Sequence, residues 1–143
     1  MEDKWSHSES WTKRGDGFCV EVKRWESKKI RFSPSGMESY FEGISNKWNV
    51  YAHIFESHPY FKRFDGEDVF QDAASALYLH CGPTFLEKTK IGYKVGSDYA
   101  HLYDDHFEDI GTRDRAYEVF HDAEELFNQL QSMTGKESNR TLG

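Results

Sequence analysis

The segment WNVYAHIF at residues 48–55 constrains the fold most, because bulky side chains alternate along it with the period of two that defines a β-strand. One face would carry Trp48, Val50, Ala52 and Ile54. The opposite face would carry Tyr51, His53 and Phe55. Bulk on both faces is typical of a strand inside a sheet rather than at its edge. His58-Pro59 then ends the run, since proline lacks a backbone donor. We therefore predict a central strand over residues 48–55.

Two hairpins are predicted around this strand. Apolar alternation over residues 18–25, followed by the short run at residues 29–33, indicates a first hairpin with its turn at Glu26 to Lys28. Similar alternation over residues 79–86 and 91–97 brackets a short polar connection and indicates a second hairpin. Hairpins join antiparallel neighbours, so we expect the sheet to be antiparallel.

Two helices are predicted from apolar residues at helical spacing. The first covers residues 66–77, with Asp65 as its N-terminal cap. The second follows Thr112, its expected cap, and continues to Leu130. Its apolar positions are Ala116, Val119, Phe120, Ala123, Leu126, Phe127 and Leu130. Together the patterns predict an α+β fold, with an antiparallel sheet of about five strands and the C-terminal amphipathic helix packed on one face.

The length of 143 residues suits one domain with its own core. Residues 1–12 are polar and are predicted to form a mobile N-terminus, from which Trp11 docks on the body. Residues 13–131 are predicted to form a single α+β domain. Residues 132–143 lack core positions and are predicted to be a disordered tail.

Composition excludes several classes of function. The formal net charge of -7 argues against nonspecific binding to nucleic acid, which requires a basic face. No apolar stretch approaches the roughly 20 residues that span a bilayer, so we expect no membrane association. Cys19 and Cys81 are far apart and lack CxxC spacing, which favours reduced thiols and a cytoplasmic location.

The segment from Leu79 to Phe107 concentrates the reactive side chains of the chain. His80 and Thr84 flank a Cys-Gly-Pro turn that would let both converge on one ligand. Asp98 and His101 follow with D-x-x-H spacing, and nearby tyrosines offer flat rings for a base or sugar. The predicted ligand-binding residues are His80, Thr84, Asp98, Tyr99, His101, Tyr51 and His53.

A divalent metal is the alternative use of this segment. Carboxylates and imidazoles folded against His80 would make a metal site with an open position, although the spacing matches no established metal motif. The candidate ligands are Asp98, His101, Asp105 and His106. No other cofactor is predicted, and no catalytic residue is identified. Cys81 is discounted as a nucleophile beside His80, because neighbouring residues on a strand point to opposite faces.

The motifs WNVYAHIFESHPYF, LHCGPTF and GSDYAHLYDDHF resemble a group of small bacteriophage and mobile-element proteins without an assigned function. In that group a WxxYxxI-type strand precedes an HGGxTF-like turn and a GxDYAHxxD-like segment. The resemblance covers residues 48–130 and departs from the group at Cys81 and Pro83. It implies a phage context in the cytoplasm of a bacterial host. Small phage accessory proteins often act against host defences.

Three functions follow as hypotheses. The first is binding of a small ligand, nucleotide-like or a host-defence signalling molecule. The second is hydrolysis of a phosphodiester, with His80 or His101 as general base or metal ligand and Asp98 or Asp105 as its partner. The third is inhibition of a host defence protein through an acidic face. That face would comprise Asp104, Asp105, Glu108, Asp109, Glu118, Asp122, Glu124 and Glu125.

Overall fold

The structure is a computed structural model that describes residues 5–101 and 104–134. Predictions for residues 1–4 and for residues 135–143 of the C-terminal tail therefore lie outside the described residues. These described residues form six strands: β1 (Ser6–His7), β2 (Trp11–Arg14), β3 (Phe18–Phe32), β4 (Ser39–Phe55), β5 (Phe85–Lys88) and β6 (Gly92–Asp98). Two α-helices, α1 (Asp72–Ser75) and α2 (Tyr117–Ser132), accompany 3-10 helices at Phe61–Arg63 and Asp105–Asp109.

All six strands form one antiparallel sheet in the order β1-β2-β3-β4-β6-β5. The predicted α+β class, the antiparallel sheet and the C-terminal helix are thus confirmed. The sheet has six strands rather than about five, because the segment before Phe18 adds β1 and β2, while the two strands predicted at residues 18–25 and 29–33 form the single strand β3. Strand β4 lies between β3 and β6, as the bulk on both of its faces indicated.

The first predicted hairpin is absent, because residues 18–25 and 29–32 lie on the single strand β3, which forms a long hairpin with β4 instead. The prediction of a turn at Glu26 to Lys28 is wrong, because Glu26 pairs with Asn46 and Lys28 pairs with Ile44 in one continuous ladder. The chain instead reverses between Phe32 and Ser39. The polar residues near position 27 reflect exposure of the ribbon to solvent rather than a turn. Exposed apolar side chains also lie on this ribbon: Trp25, Ile30, Phe32, Tyr40, Phe41 and Ile44.

The core lies between α2 and one face of β3, β4 and β6. Phe18 of the sheet packs against Phe127 of the helix, with 5.0 Å between the ring centroids. Trp48 of the sheet packs against Phe120 of the helix at 6.3 Å. The indole of Trp48 also donates a 2.8 Å hydrogen bond to the carbonyl oxygen of Ile110. Burial of these aromatic and aliphatic side chains is the main source of stability in a chain this polar.

His58 fixes the other end of α2 to the sheet. Its Nδ1 accepts a 3.0 Å hydrogen bond from the backbone of Tyr60, so its Nε2 donates at 2.9 Å to the carbonyl oxygen of Leu130. His58 is buried, and both ring nitrogens are satisfied inside the protein. The His58-Pro59 segment therefore ends β4 and anchors the helix as well.

Both predicted helix starts are wrong. The expected helix over residues 66–77 shortens to α1, and Gln71 rather than Asp65 stands at its N-terminal cap. Phe70, an expected core position, is 86% exposed. The long helix α2 begins at Tyr117, while Thr112 takes part in the preceding turn through its carbonyl oxygen. The predicted second hairpin is present as β5 and β6, but residues 79–84 of its first predicted strand are not in a strand, and Glu87 and Lys88 of its predicted connection belong to β5.

Within the described ranges 5–101 and 104–134, no helix combines the length and the apolar character that crossing a membrane requires.

Candidate functional site

His80 occupies a turn between α1 and β5, next to the end of β6. Its imidazole lies flat on the ring of Tyr99, with 4.2 Å between the centroids and 10° between the planes. Its Nε2 lies 2.9 Å and 3.0 Å from the two carboxylate oxygens of Asp104. Stacking on one side and a carboxylate at Nε2 fix the orientation of the ring and leave Nδ1 for another partner.

Asp104 connects two histidines. Its side chain is only 8% exposed, and it accepts a 2.8 Å hydrogen bond from the backbone N–H of His101. The Nδ1 atom of His101 lies 3.3 Å from Asp104 and 3.5 Å from Asp98. Burial would raise the pKa of Asp104, but the hydrogen bonds from His101 and His80 outweigh it and hold this pKa below its usual value.

Cys81 lies beside these histidines. One potential ligand atom each from His80, Cys81 and His101 lies within 4.8 Å of the other two. The chain forms a turn here, with Cys81 at φ 57° and Gly82 at φ 84°, so the strand geometry used to discount Cys81 does not hold. A positive φ is uncommon for a residue with a Cβ, and it redirects the exposed thiol toward the same side as the histidines.

Tyr99 joins this group to the last helix. Its buried hydroxyl donates a 2.6 Å hydrogen bond to Asp122 of α2. Burial, together with this hydrogen bond and the charge of Asp122, raises the pKa of Tyr99 far above its usual value, so Tyr99 stays a neutral donor. The contact spans 23 positions of sequence, and no local pattern indicates it.

Two cavities that are wide open to solvent share His80 and Asp122 in their linings, and we call them together the His80 cleft. The first has a volume of about 440 Å³ and is lined by Ala76, Leu77, Tyr78, Leu79, His80, Cys81, Asp122 and Gln129. The second has a volume of about 370 Å³ and is lined by His80, Phe107, Tyr117, Glu118, His121 and Asp122. Both volumes fall within the range of small-molecule sites.

The predicted ligand-binding residues are divided between two places. The structure brings together His80, Asp98, Tyr99 and His101 near the end of β6. Tyr51 and His53 lie on the sheet face that points away from α2, because they alternate with the buried residues of β4. Thr84 is exposed and pairs through its backbone N–H with Gly96 at 2.8 Å.

The sheet face that carries Tyr51 and His53 forms a cluster of its own. His53 Nε2 lies 2.9 Å from Glu21, and the ammonium group of Lys94 lies 4.4 Å from the centre of the Tyr51 ring. The hydrogen bond from His53 lowers the pKa of Glu21 from 4.5 to about 2. Glu21 and His53 are therefore partners of each other on this face.

Among the candidate metal ligands, Asp98 and His101 lie at the His80 cluster, but Asp105 and His106 do not belong to the three-residue group found there. His106 is exposed, and its Nε2 lies 3.5 Å from Glu118. Cys81 was discounted, and Asp122 was assigned only to an acidic surface. Both are adjacent to His80 through the turn and the helix packing, which the sequence pattern does not reveal.

Several carboxylates of the predicted acidic face have partners inside the protein. Glu124 binds Lys13 at 2.8 Å and accepts a hydrogen bond from the Trp5 indole at 2.8 Å. Glu108 lies 3.0 Å from Lys29. Together with the Tyr99 contact of Asp122, these pairs reduce the free negative charge that the face would present to a basic partner.

The resemblance to phage proteins stays a prediction. No protein-family model matches this chain, and neither the curated proteins nor the solved structures include a significant match to it.

Proposed function

We propose that the protein binds a small, nucleotide-like molecule in the His80 cleft. The observation that carries this proposal is the oriented His80 ring, held by Tyr99 and Asp104 in the wall shared by two cavities of about 440 Å³ and 370 Å³. A preformed concave site with a few fixed polar groups is typical of small-molecule binding. The phage resemblance suggests a host-defence signalling molecule as the source of the ligand.

The lining favours a base or nucleoside portion over a highly charged phosphate. Tyr78, Phe107 and Tyr117 supply flat rings, and Asp122 supplies a carboxylate for hydrogen bonds to a base. The Gln129 amide is already bonded to the backbone of Tyr78 and Ala76 and holds that wall of the cleft in place. Among the lining residues that the structure describes, Asp122 and Glu118 are acidic and none is lysine or arginine. We therefore expect nucleosides and cyclic nucleotides to bind more tightly than nucleoside triphosphates.

A binding panel tests the proposal. Adenosine, guanosine, cyclic mono- and dinucleotides, ADP-ribose and ATP would each be titrated by calorimetry and by thermal shift, and a true ligand raises the melting temperature with its concentration. The proposal predicts that H80N and Y117A weaken the binding of the same ligand. H53N and Y40A are the matched controls, because His53 lies on the opposite sheet face and Tyr40 lies on the exposed ribbon.

Two results would overturn the proposal. One is the absence of binding across the whole panel by folded wild-type protein. The other is binding that H53N abolishes and H80N leaves intact, which would move the site to the open face of the sheet.

Phosphodiester hydrolysis is the second candidate, and the His80–Asp104 pair favours it. A histidine oriented by a buried carboxylate is the arrangement of a general base. Turnover of a cyclic dinucleotide, lost in H80N with binding of the nucleotide retained, would support hydrolysis. Binding without turnover of any panel member would remove it and leave the binding proposal standing.

A further inference from the structure

We propose that His80, Cys81 and His101 bind a divalent transition-metal ion, with zinc as the expected metal. This inference rests on the three side chains alone and does not depend on the ligand of the His80 cleft. Of the sequence-based metal set it keeps only His101, and His80 and Cys81 take the places of Asp98, Asp105 and His106.

The three side chains are close enough together to bind one metal ion. Their potential ligand atoms lie within 4.8 Å of one another. In a tetrahedral zinc site, with bonds of about 2.0–2.3 Å, neighbouring ligand atoms are roughly 3.5 Å apart. Small side-chain rotations would therefore close the present arrangement onto one ion. Cys81 is exposed in a turn, and its thiol can rotate without disturbing the core.

Asp104 has the position of a carboxylate that supports a metal-bound histidine. It holds His80 Nε2 at 2.9 Å, which leaves Nδ1 of that ring as the nitrogen that would face the metal. Zinc-binding histidines commonly donate their other ring N–H to a carboxylate, which fixes the ring and strengthens the ligand. The buried Asp104 carboxylate would thus orient His80 for metal binding.

His101 supplies a second, independent observation. Its Nδ1 is buried and finds no hydrogen-bond partner of good geometry among the described residues, although Asp104 and Asp98 lie 3.3 Å and 3.5 Å away. A buried polar atom of this kind calls for a reason. Metal binding at Nε2 would fix the proton on Nδ1 and turn it into a donor toward these carboxylates.

The ligand set identifies the class of metal. Two imidazoles and one thiolate are ligands of borderline-soft ions such as zinc, while Mg²⁺ and Ca²⁺ prefer oxygen ligands. Three protein ligands leave one coordination position for water or a ligand. His80 and Cys81 both line the larger cavity, so that position would open toward the His80 cleft.

Cobalt substitution tests the assignment directly. The full chain, purified under reducing conditions and freed of metal, would be titrated with Co²⁺, whose bond to a thiolate gives a charge-transfer absorption band in the near ultraviolet. We expect the wild-type protein to show this band and to bind zinc in a one-to-one ratio against a chromophoric chelator. C81S should lose the band, and D104N should keep it while zinc affinity falls roughly 10- to 100-fold.

The chain offers matched controls for both ligand types. C19S should keep the band and the zinc affinity, because Cys19 lies in the β2–β3 ladder opposite Arg14 and is not one of the three clustered side chains. Burial also raises the pKa of its thiol. H106N should behave as wild type, whereas H80N and H101N should weaken zinc binding more than D104N does. Near-ultraviolet circular dichroism of each metal-free variant would confirm that it folds.

Several outcomes would overturn the metal site. They are a wild-type protein without the cobalt–thiolate band, a band that survives in C81S, or a band that disappears in C19S. Repeating the ligand panel with and without zinc separates the two proposals. If the protein binds a panel ligand but no metal, the cleft proposal stands and the metal site is wrong. If the protein binds zinc but no panel ligand, the metal site stands and the cleft proposal is wrong.

Discussion

The phenol ring of Tyr99 lies face to face with the imidazole of His80, with 4.2 Å between the ring centroids. The same tyrosine donates a 2.6 Å hydrogen bond from its hydroxyl group to Asp122 of α2. Tyr99 therefore connects the turn that carries the reactive side chains with the helix that covers the core.

Replacing Tyr99 with phenylalanine should destabilise the protein and keep the stacked ring. A buried hydrogen bond to a charged group contributes roughly 1.5–3 kcal/mol, and Y99F leaves the Asp122 carboxylate without its donor. Urea unfolding measures the change in the free energy of unfolding. Y117F is the control, because Tyr117 is 70% exposed and should unfold like wild type. Equal stability of Y99F and wild type would contradict the assigned role.

Two phenylalanines with opposite burial should respond differently to the same substitution. Phe120 is 8% exposed and packs against Trp48, so F120A should lower the free energy of unfolding by about 3–5 kcal/mol. Phe70 is 86% exposed, and F70A should change the free energy of unfolding by no more than about 0.5 kcal/mol. Thermal and urea unfolding of both variants test this. A large loss of stability in F70A would contradict the exposure of Phe70 and support the longer helix predicted over residues 66–77.

Gly92 should not tolerate alanine. A Cβ at this position would overlap the backbone carbonyl oxygen of Ile54 on the paired strand, and backbone atoms cannot move aside as a flexible side chain can. We expect G92A to lower the free energy of unfolding by roughly 2 kcal/mol or more, as overpacking does. G111A is the control, since its Cβ would meet only Asn46 at 3.4 Å. Similar stabilities of the two variants would show that β4 and β6 are not paired in this register.

Glu21 should make stability depend on acidity below neutral pH. The hydrogen bond from His53 lowers the pKa of Glu21 from 4.5 to about 2 in the folded protein. A lowered carboxyl pKa contributes stability that is fully present above pH 4.5 and is lost as the pH falls toward 2. This contribution is roughly 2 kcal/mol, after allowance for the partial exposure of the pair.

The test of this prediction is urea unfolding between pH 6 and pH 2 in ~0.1 M salt, where surface charges are partly screened. The difference in free energy of unfolding between wild type and E21Q should shrink as the pH falls. E87Q is the control, because Glu87 is an exposed residue of β5. A difference that stays constant over this range would show that the His53 contact does not stabilise the Glu21 carboxylate.

Features with a local period could be predicted from sequence. The alternation at residues 48–55 placed β4 in the centre of the sheet, and the apolar spacing after Ala116 identified α2. Both signals arise because the side-chain period of a strand or helix is set by its own backbone. His80, Tyr99 and His101 lie together for a related reason, since a short hairpin brings the ends of residues 79–101 close to each other.

The remaining features depend on contacts between distant parts of the chain. Glu26 to Lys28 has turn-like composition, yet pairing with residues 44–46 keeps it extended. Tyr51 and His53 were grouped with His80 by residue type, but the pleat of β4 turns them to the other face of the sheet. Cys81 meets His101 only because the turn at Gly82 redirects it, and Asp122 reaches Tyr99 only because α2 packs across the sheet. The local conformations open to a short segment differ little in free energy, so strand pairing and helix packing determine which one the folded protein adopts. These tertiary contacts cannot be predicted from the short segment alone.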